Sequence, residues 1–142
     1  MKVLGVDYGS KRVGLASGNL ENKIAFPKDV LMNEGLGQLV SDLVGLCEEE
    51  GYGVVVFGAP FHMNDEKSSI YNEVSDFVDK FKKASVEKGL DLKVELFDER
   101  LSSFEADQYM VDFKGAKVRK KEGDRDMLAA KVILERWFEE QE

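Results

Sequence analysis

The chain has 142 residues, 43% of them apolar, which fits one domain with enough apolar side chains for a buried core. Charged residues make up 34%, and 20 Lys and Arg against 28 Asp and Glu give a net charge of −8, which disfavours a partner held by uniform positive charge but leaves room for a local basic patch. A single cysteine, Cys47, and a single histidine, His62, exclude an internal disulfide and a cysteine-based zinc site, and no stretch reaches the ~18 apolar residues of a membrane helix.

Val3 to Asp7 is a short apolar run ending in an acid and reads as a strand. Asp7 also interrupts any signal-peptide core, so the expected home is a reducing cytoplasm. After the turn Tyr8-Gly9-Ser10-Lys11, Arg12 to Ser17 returns as a second strand and makes a hairpin. Ile24 to Phe26 and Val30 to Met32 belong to a third strand broken by Pro27, which suggests an edge or a bulge. Leu36, Leu39, Val40, Leu43, Val44 and Cys47 recur at helical spacing, so 35–50 is a helix stopped by Gly51. The continuous run Val54-Val55-Val56-Phe57 is typical of a buried parallel strand.

Ile70, Val74, Phe77, Val78 and Phe81 mark a long helix from about Asp65 to Lys88. Leu92 to Phe97 alternates apolar and charged residues and reads as another strand. Ser102-Ser103-Phe104-Glu105 has the capping-box pattern, which starts a helix running to about Phe113. Residues 114–123 form a basic loop, and Asp124 is the expected N-cap of a final helix carrying Leu128, Val132, Ile133, Trp137 and Phe138. A three-strand meander followed by two parallel strands gives an α/β fold, a five-stranded mixed sheet with helices on both faces.

Three acids fall at informative places. Asp7 ends the first strand, Asp98-Glu99 ends the last, and Asp126 lies in the expected first turn of the last helix. Parallel strands bring their C-terminal ends to one sheet edge, where α/β sites form. If the first and last strands are neighbours, Asp7 and Glu99 approach each other and the final helix adds Asp126. Clustered carboxylates repel unless a cation joins them. Hard oxygen donors without Cys or His favour Mg²⁺ or Mn²⁺, in sites that typically act on phosphate esters. Taken singly, each acid has a plainer reading: a turn cap, a helix-dipole partner or a surface ion pair.

Four segments resemble the YqgF/RuvX family, in order and from end to end. They are Gly5-Val6-Asp7-Tyr8-Gly9-Ser10-Lys11-Arg12-Val13-Gly14-Leu15-Ala16, Val55-Val56-Phe57-Gly58-Ala59-Pro60-Phe61-His62-Met63-Asn64-Asp65, Phe97-Asp98-Glu99-Arg100-Leu101-Ser102-Ser103-Phe104-Glu105-Ala106 and Asp126-Met127-Leu128-Ala129-Ala130-Lys131-Val132-Ile133-Leu134. The resemblance implies a ribonuclease H-like fold over 1–142. It also implies nuclease activity, described for the family as Holliday junction resolution or processing of pre-16S rRNA. It gives Asp7, Glu99 and Asp126 the catalytic, metal-binding roles. Two positions depart from the family pattern: Ala59 stands where a Leu is usual before the loop proline, and Glu66 where a Gly is usual after the loop aspartate. These bear on loop shape and substrate fit more than on the acids. Asp98 and Asp124 remain alternative ligands.

The positive charge gathers near these acids. Residues 114–125 carry Lys114, Lys117, Arg119, Lys120, Lys121 and Arg125 against Glu122 and Asp124. Lys11 and Arg12 follow the Asp7 turn, and Arg100 follows Glu99. Lys11, Arg12, Arg100, Lys117, Lys120 and Lys121 are therefore the candidate contacts to substrate phosphates. Cys47 and Trp137 read as core, and a Cys47–His62 nucleophilic pair is disfavoured because the two lie on different elements. Ser102 and Ser103 read as caps, with no His-Asp pair to activate them.

The expected activity is a metal-dependent endonuclease acting on structured nucleic acid: 5′-end processing of precursor 16S rRNA, with four-way DNA junctions as the alternative. Ribosomal precursor particles are the implied partners, and the oligomer is a monomer or a homodimer. An adaptor that kept the fold without catalysis is a second reading. An actin-like nucleotide-binding domain is a third, opposed by the single-domain length and by the absence of a Gly-x-x-x-x-Gly-Lys-Ser/Thr loop.

Overall fold

A computed structural model describes residues 1–59, 69–98 and 122–141, and of 69, 70, 98 and 122 the backbone alone. Five strands form one sheet: β1 (Lys2–Asp7), β2 (Arg12–Asn19), β3 (Ile24–Met32), β4 (Tyr52–Ala59) and β5 (Lys93–Asp98). The described helices are α1 (Leu36–Glu50), α2 (Ser69–Glu87) and α3 (Glu122–Glu139). The sheet order is β3-β2-β1-β4-β5, antiparallel through the meander and parallel from β1 to β4 to β5.

Strand composition explains this order. The unbroken apolar run of β4 needs cover on both faces and takes an interior position, with Val54, Val55, Val56 and Phe57 all buried. Lys93 and Glu95 alternate with apolar residues in β5, which suits an edge. The expected contact between the first and last strands is therefore corrected: β4 separates β1 from β5. At the other edge β3 is one continuous strand. Its register shifts where Leu15 pairs with Asp29 and Ala16 with Pro27, so Pro27 sits at both an edge and a bulge.

Alternation along the strands splits the core in two. Leu4, Val6, Val13, Leu15, Val55 and Phe57 pack with Leu39, Leu43, Phe77 and Phe81 of α1 and α2. On the opposite face Val3, Ala16, Val54 and Val56 pack with Ala130, Ile133, Leu134, Trp137 and Phe138 of α3. Gly51, at φ 74°, closes α1 by donating its N–H to the Cys47 carbonyl. The helix expected from Asp65 is described from Ser69 onward, and the expected helix over 103–113 lies outside the described residues.

Helix α3 begins at Glu122, so Asp124 lies within its first turn and is not the cap, and Asp126 lies in the second turn. Packing accounts for the extra residues. A Cβ added at Gly123 would lie 3.5 Å from Val30 Cγ2 of β3, so the first turn of α3 already lies over the sheet, where tertiary packing outweighs the local cap signal.

Candidate active site

Asp7 is the last residue of β1 and pairs with Gly14 on β2 and Gly58 on β4. Its carboxylate is half-buried. Val3, two pairs back, packs in the α3 cluster, so the period of two puts Asp7 on the α3 side as well. Neither flanking partner carries a side chain, so on the Gly14 side a neighbouring element can approach the strand closely beside Asp7.

Gly14 also seats α3. A Cβ added there would run into the Asp126 carbonyl and come within 3.1 Å of the Asp126 Cβ. Gly5 and Gly18 continue the same track, facing Ala130 with Leu134, and Phe138. Residues 126, 130, 134 and 138 recur at i+4 and form one ridge of the helix. Directly opposed antiparallel residues hold their Cβ positions about 5 Å apart. The Gly14 position therefore links Asp7 to Asp126 through two short steps, and the two acids share one end of one sheet face.

Arg12 completes this cluster. Its Nε donates to Asp126 Oδ2 at 2.6 Å, and the two side chains are only 26% and 15% exposed. Sequence reading placed Arg12 toward substrate; the structure places it on a candidate metal ligand. Lys11, one residue earlier, is exposed, and its carbonyl accepts the Asn33 N–H at 2.9 Å.

A polar network braces the turn after Asp7. The Tyr8 hydroxyl donates to Glu73 Oε1 at 2.8 Å and accepts from Asn33 Nδ2 at 3.2 Å, and the same Nδ2 reaches the Gly9 carbonyl at 3.0 Å. Burial pushes the Tyr8 hydroxyl pKa up, and hydrogen bonding to Glu73 adds to the rise. The ring packs on Phe77 at 5.4 Å between centroids. Sequence reading missed Tyr8, Asn33 and Glu73 as a group. Their separation in the chain hid the contact, although alternation from Leu4 and Val6 would have put Tyr8 in the core.

Other candidates sort clearly. Cys47 is buried on the α1 stripe, and burial pushes its thiol up to about 12, so it is core and not a nucleophile. Trp137 is buried and donates its indole N–H to Glu95 Oε1 at 2.8 Å. Asp98 ends β5 beside Ala59, and Asp124 is half-buried in α3. Glu99, Arg100, His62, Ser102, Ser103, Lys117, Lys120 and Lys121 lie outside the described residues. Among the described residues no three His, Cys, Asp or Glu side chains stand close enough to hold a metal. Asp7 and Asp126 supply two hard oxygen donors on one face, a set that fits Mg²⁺ or Mn²⁺ and needs a third.

Comparison with known proteins places this arrangement. The family model described as "RuvX: Holliday junction resolvase" matches residues 1–140. The chain belongs to the RuvX family. A relative from Maridesulfovibrio salexigens, named "Putative pre-16S rRNA nuclease", is 37% identical over 97% of this chain and 98% of its own. One from Endomicrobium trichonymphae carries the same name and is 26% identical over 97% and 95%. Among solved structures, the fowlpox virus Holliday junction resolvase superposes with a TM-score of 0.63 at 15% identity, over 99% of this chain and all of that one. Thermus thermophilus RuvC in complex with Holliday junction substrate gives 0.61 at 15%, over 97% and 93%. These neighbours share the ribonuclease H-like fold with this RuvX chain. No described helix is long and apolar enough to cross a membrane.

Proposed function

We propose that this RuvX protein is a metal-dependent endonuclease that hydrolyses phosphodiester bonds in structured nucleic acid, with precursor 16S rRNA as its substrate. One observation carries the reading: Asp7 and Asp126 come to the same end of one sheet face through the close seat of α3 on Gly14. The substrate choice follows the names of the full-length relatives. The family description and the fold of the junction resolvases favour four-way DNA as the second substrate.

Asp7, Asp126 and Glu99 would hold Mg²⁺ or Mn²⁺. Glu99 is the residue after Asp98, the last residue of β5. When bound, the ion supplies charge stabilisation for phosphoryl transfer and lowers the pKa of water. The protein holds Asp7 and Asp126 in place through the sheet register and the α3 seat. Tyr8 and Asn33 fix the turn that follows Asp7. Lys11, Arg12, Arg100, Lys117, Lys120 and Lys121 contact the substrate backbone. We take 1–142 to act as one domain, as a monomer or homodimer in the cytoplasm, on ribosomal precursor particles.

The test is cleavage of labelled precursor 16S rRNA and four-way DNA with Mg²⁺ or Mn²⁺, wild type beside Asp7→Asn. Cleavage lost in the variant supports the acidic centre, and the better substrate decides between RNA and DNA. Equal signals from both proteins would favour a non-catalytic adaptor.

A further inference from the structure

The Arg12–Asp126 pair has a consequence for how a cation reaches the site, given the metal-binding reading above. We propose that Arg12 is a resident counter-ion of the acidic centre: a divalent cation displaces it from Asp126, and the released guanidinium then serves a backbone phosphate.

Several observations support this. The contact is short, charge-assisted and partly buried, with Nε to Oδ2 at 2.6 Å and the side chains 26% and 15% exposed. Both backbones are fixed. Arg12 opens β2 opposite Met32 and precedes the fully buried Val13, and Asp126 is pinned by the Gly14 seat. Arg12, Gly14 and Ala16 alternate onto the α3 face, so the guanidinium belongs to the same surface as Asp7. A partly buried carboxylate is costly without a positive partner, and Arg12 fills that role. A divalent cation on the same carboxylate would sit within a few ångströms of the guanidinium, where like charges repel strongly in a partly desolvated site. The two cations therefore compete for Asp126.

Competition makes a thermodynamic linkage. Breaking the pair subtracts from cation affinity. A phosphate that engages the released guanidinium restores it, and by reciprocity the bound cation strengthens phosphate binding by the same factor. The site thus holds a cation weakly until nucleic acid arrives. Arg12 thus acts on the cation through Asp126 and, once released, on the substrate directly.

The experiment titrates Mn²⁺ into the full chain by calorimetry, without nucleic acid, for wild type, Arg12→Gln and Asp7→Asn. Arg12→Gln is expected to bind Mn²⁺ at least about 5-fold more tightly than wild type. Affinity equal to wild type, or weaker, overturns the proposal. A second measurement uses wild type alone and separates displacement from a simple change of field. The Arg12 Nε–H resonance, assigned through the backbone, is followed during Mg²⁺ titration. It is expected to shift and to exchange faster with water as the site fills; an unchanged resonance at saturation overturns the proposal. Wild type and Asp7→Asn binding Mn²⁺ alike would remove the metal reading itself, and this inference with it. Binding that depends on Asp7 but not on Arg12 removes only the inference.

Discussion

Gly14 and Asp126 meet backbone to backbone: the α3 carbonyl occupies the space that any side chain on the strand would need. Alanine at position 14 must therefore push the helix off the sheet. The obstacle is main chain, which cannot rotate away, so the cost falls at the upper end of overpacking, about 3 kcal/mol. Gly45 is the control, since it lies in the interior of α1 with nothing within 4 Å of an added Cβ. Gly45→Ala is expected to stabilise by about 1 kcal/mol through helix propensity. Urea unfolding of both variants reads the difference. Gly14→Ala should also lose cleavage, because the displaced turn carries Asp126. A Gly14→Ala protein as stable and active as wild type contradicts the seat.

Tyr8→Phe removes one hydroxyl and keeps the ring against Phe77. Glu73 loses a donor at 2.8 Å, and Asn33 loses one of its two acceptors. The expected cost is about 1 kcal/mol, the usual net value of a partly buried hydrogen bond. Asn33 still reaches the Gly9 carbonyl, so the turn after Asp7 loosens without opening. Cleavage should fall but persist, in contrast to its loss in Asp7→Asn. Unfolding and single-turnover kinetics on the same preparations check both halves.

Much of this was legible in the sequence, and the reasons differ by element. The continuous run of β4 and the helical stripe of α1 announced themselves because burial acts locally on composition. Asp7 and Asp126 stand out in the sequence by their places at a strand end and near a helix start, and the structure brings these two to one end of one sheet face. Strand order was not legible, since pairing β1 with β4 joins residues some fifty positions apart in the chain. The start of α3 differs from the expected one because Asp124 offers a good local cap, while the packing of α3 on β3 is tertiary. Arg12 was recognised as a cation near the site, but its partner lies 114 residues away. The glycines gave the best unread clue: Gly5, Gly14 and Gly18 mark where a helix crosses the sheet too closely for side chains.

Acid should weaken a specific tie between α3 and the edge strand. The Trp137 indole holds the Glu95 carboxyl below its ordinary value of 4.5, with Lys93 helping. A depressed carboxyl contributes stability that is fully present above the unfolded value and lost as pH falls through the folded one. Trp137→Phe removes the indole donor and also some packing. The packing loss does not depend on pH, whereas the hydrogen-bond part does. The stability gap between wild type and Trp137→Phe should therefore be flat above about pH 5 and narrow as pH drops below 4.5. Denaturant unfolding at stepped pH measures the gap, and a constant gap down to pH 3 argues against the contact.

The net charge of −8 poses a last problem for a nucleic-acid enzyme. A uniformly acidic surface repels phosphates, so binding must come from a few well-placed cations. Lys117, Lys120 and Lys121 precede α3 by a few residues in the chain, and α3 carries Asp126. If these lysines neutralise phosphates, each releases counter-ions on binding and steepens the salt dependence. Reversing all three to Glu should weaken binding of structured RNA at low salt and flatten the plot of log affinity against log salt by about 2 units of slope. The measurement uses Ca²⁺ in place of Mg²⁺ to limit turnover. None of the three lysines is a proposed metal ligand, so the variant should still fold, which denaturant unfolding checks. An unchanged slope would show that the phosphates are gripped elsewhere, with Lys11 and Arg12 the first residues to test.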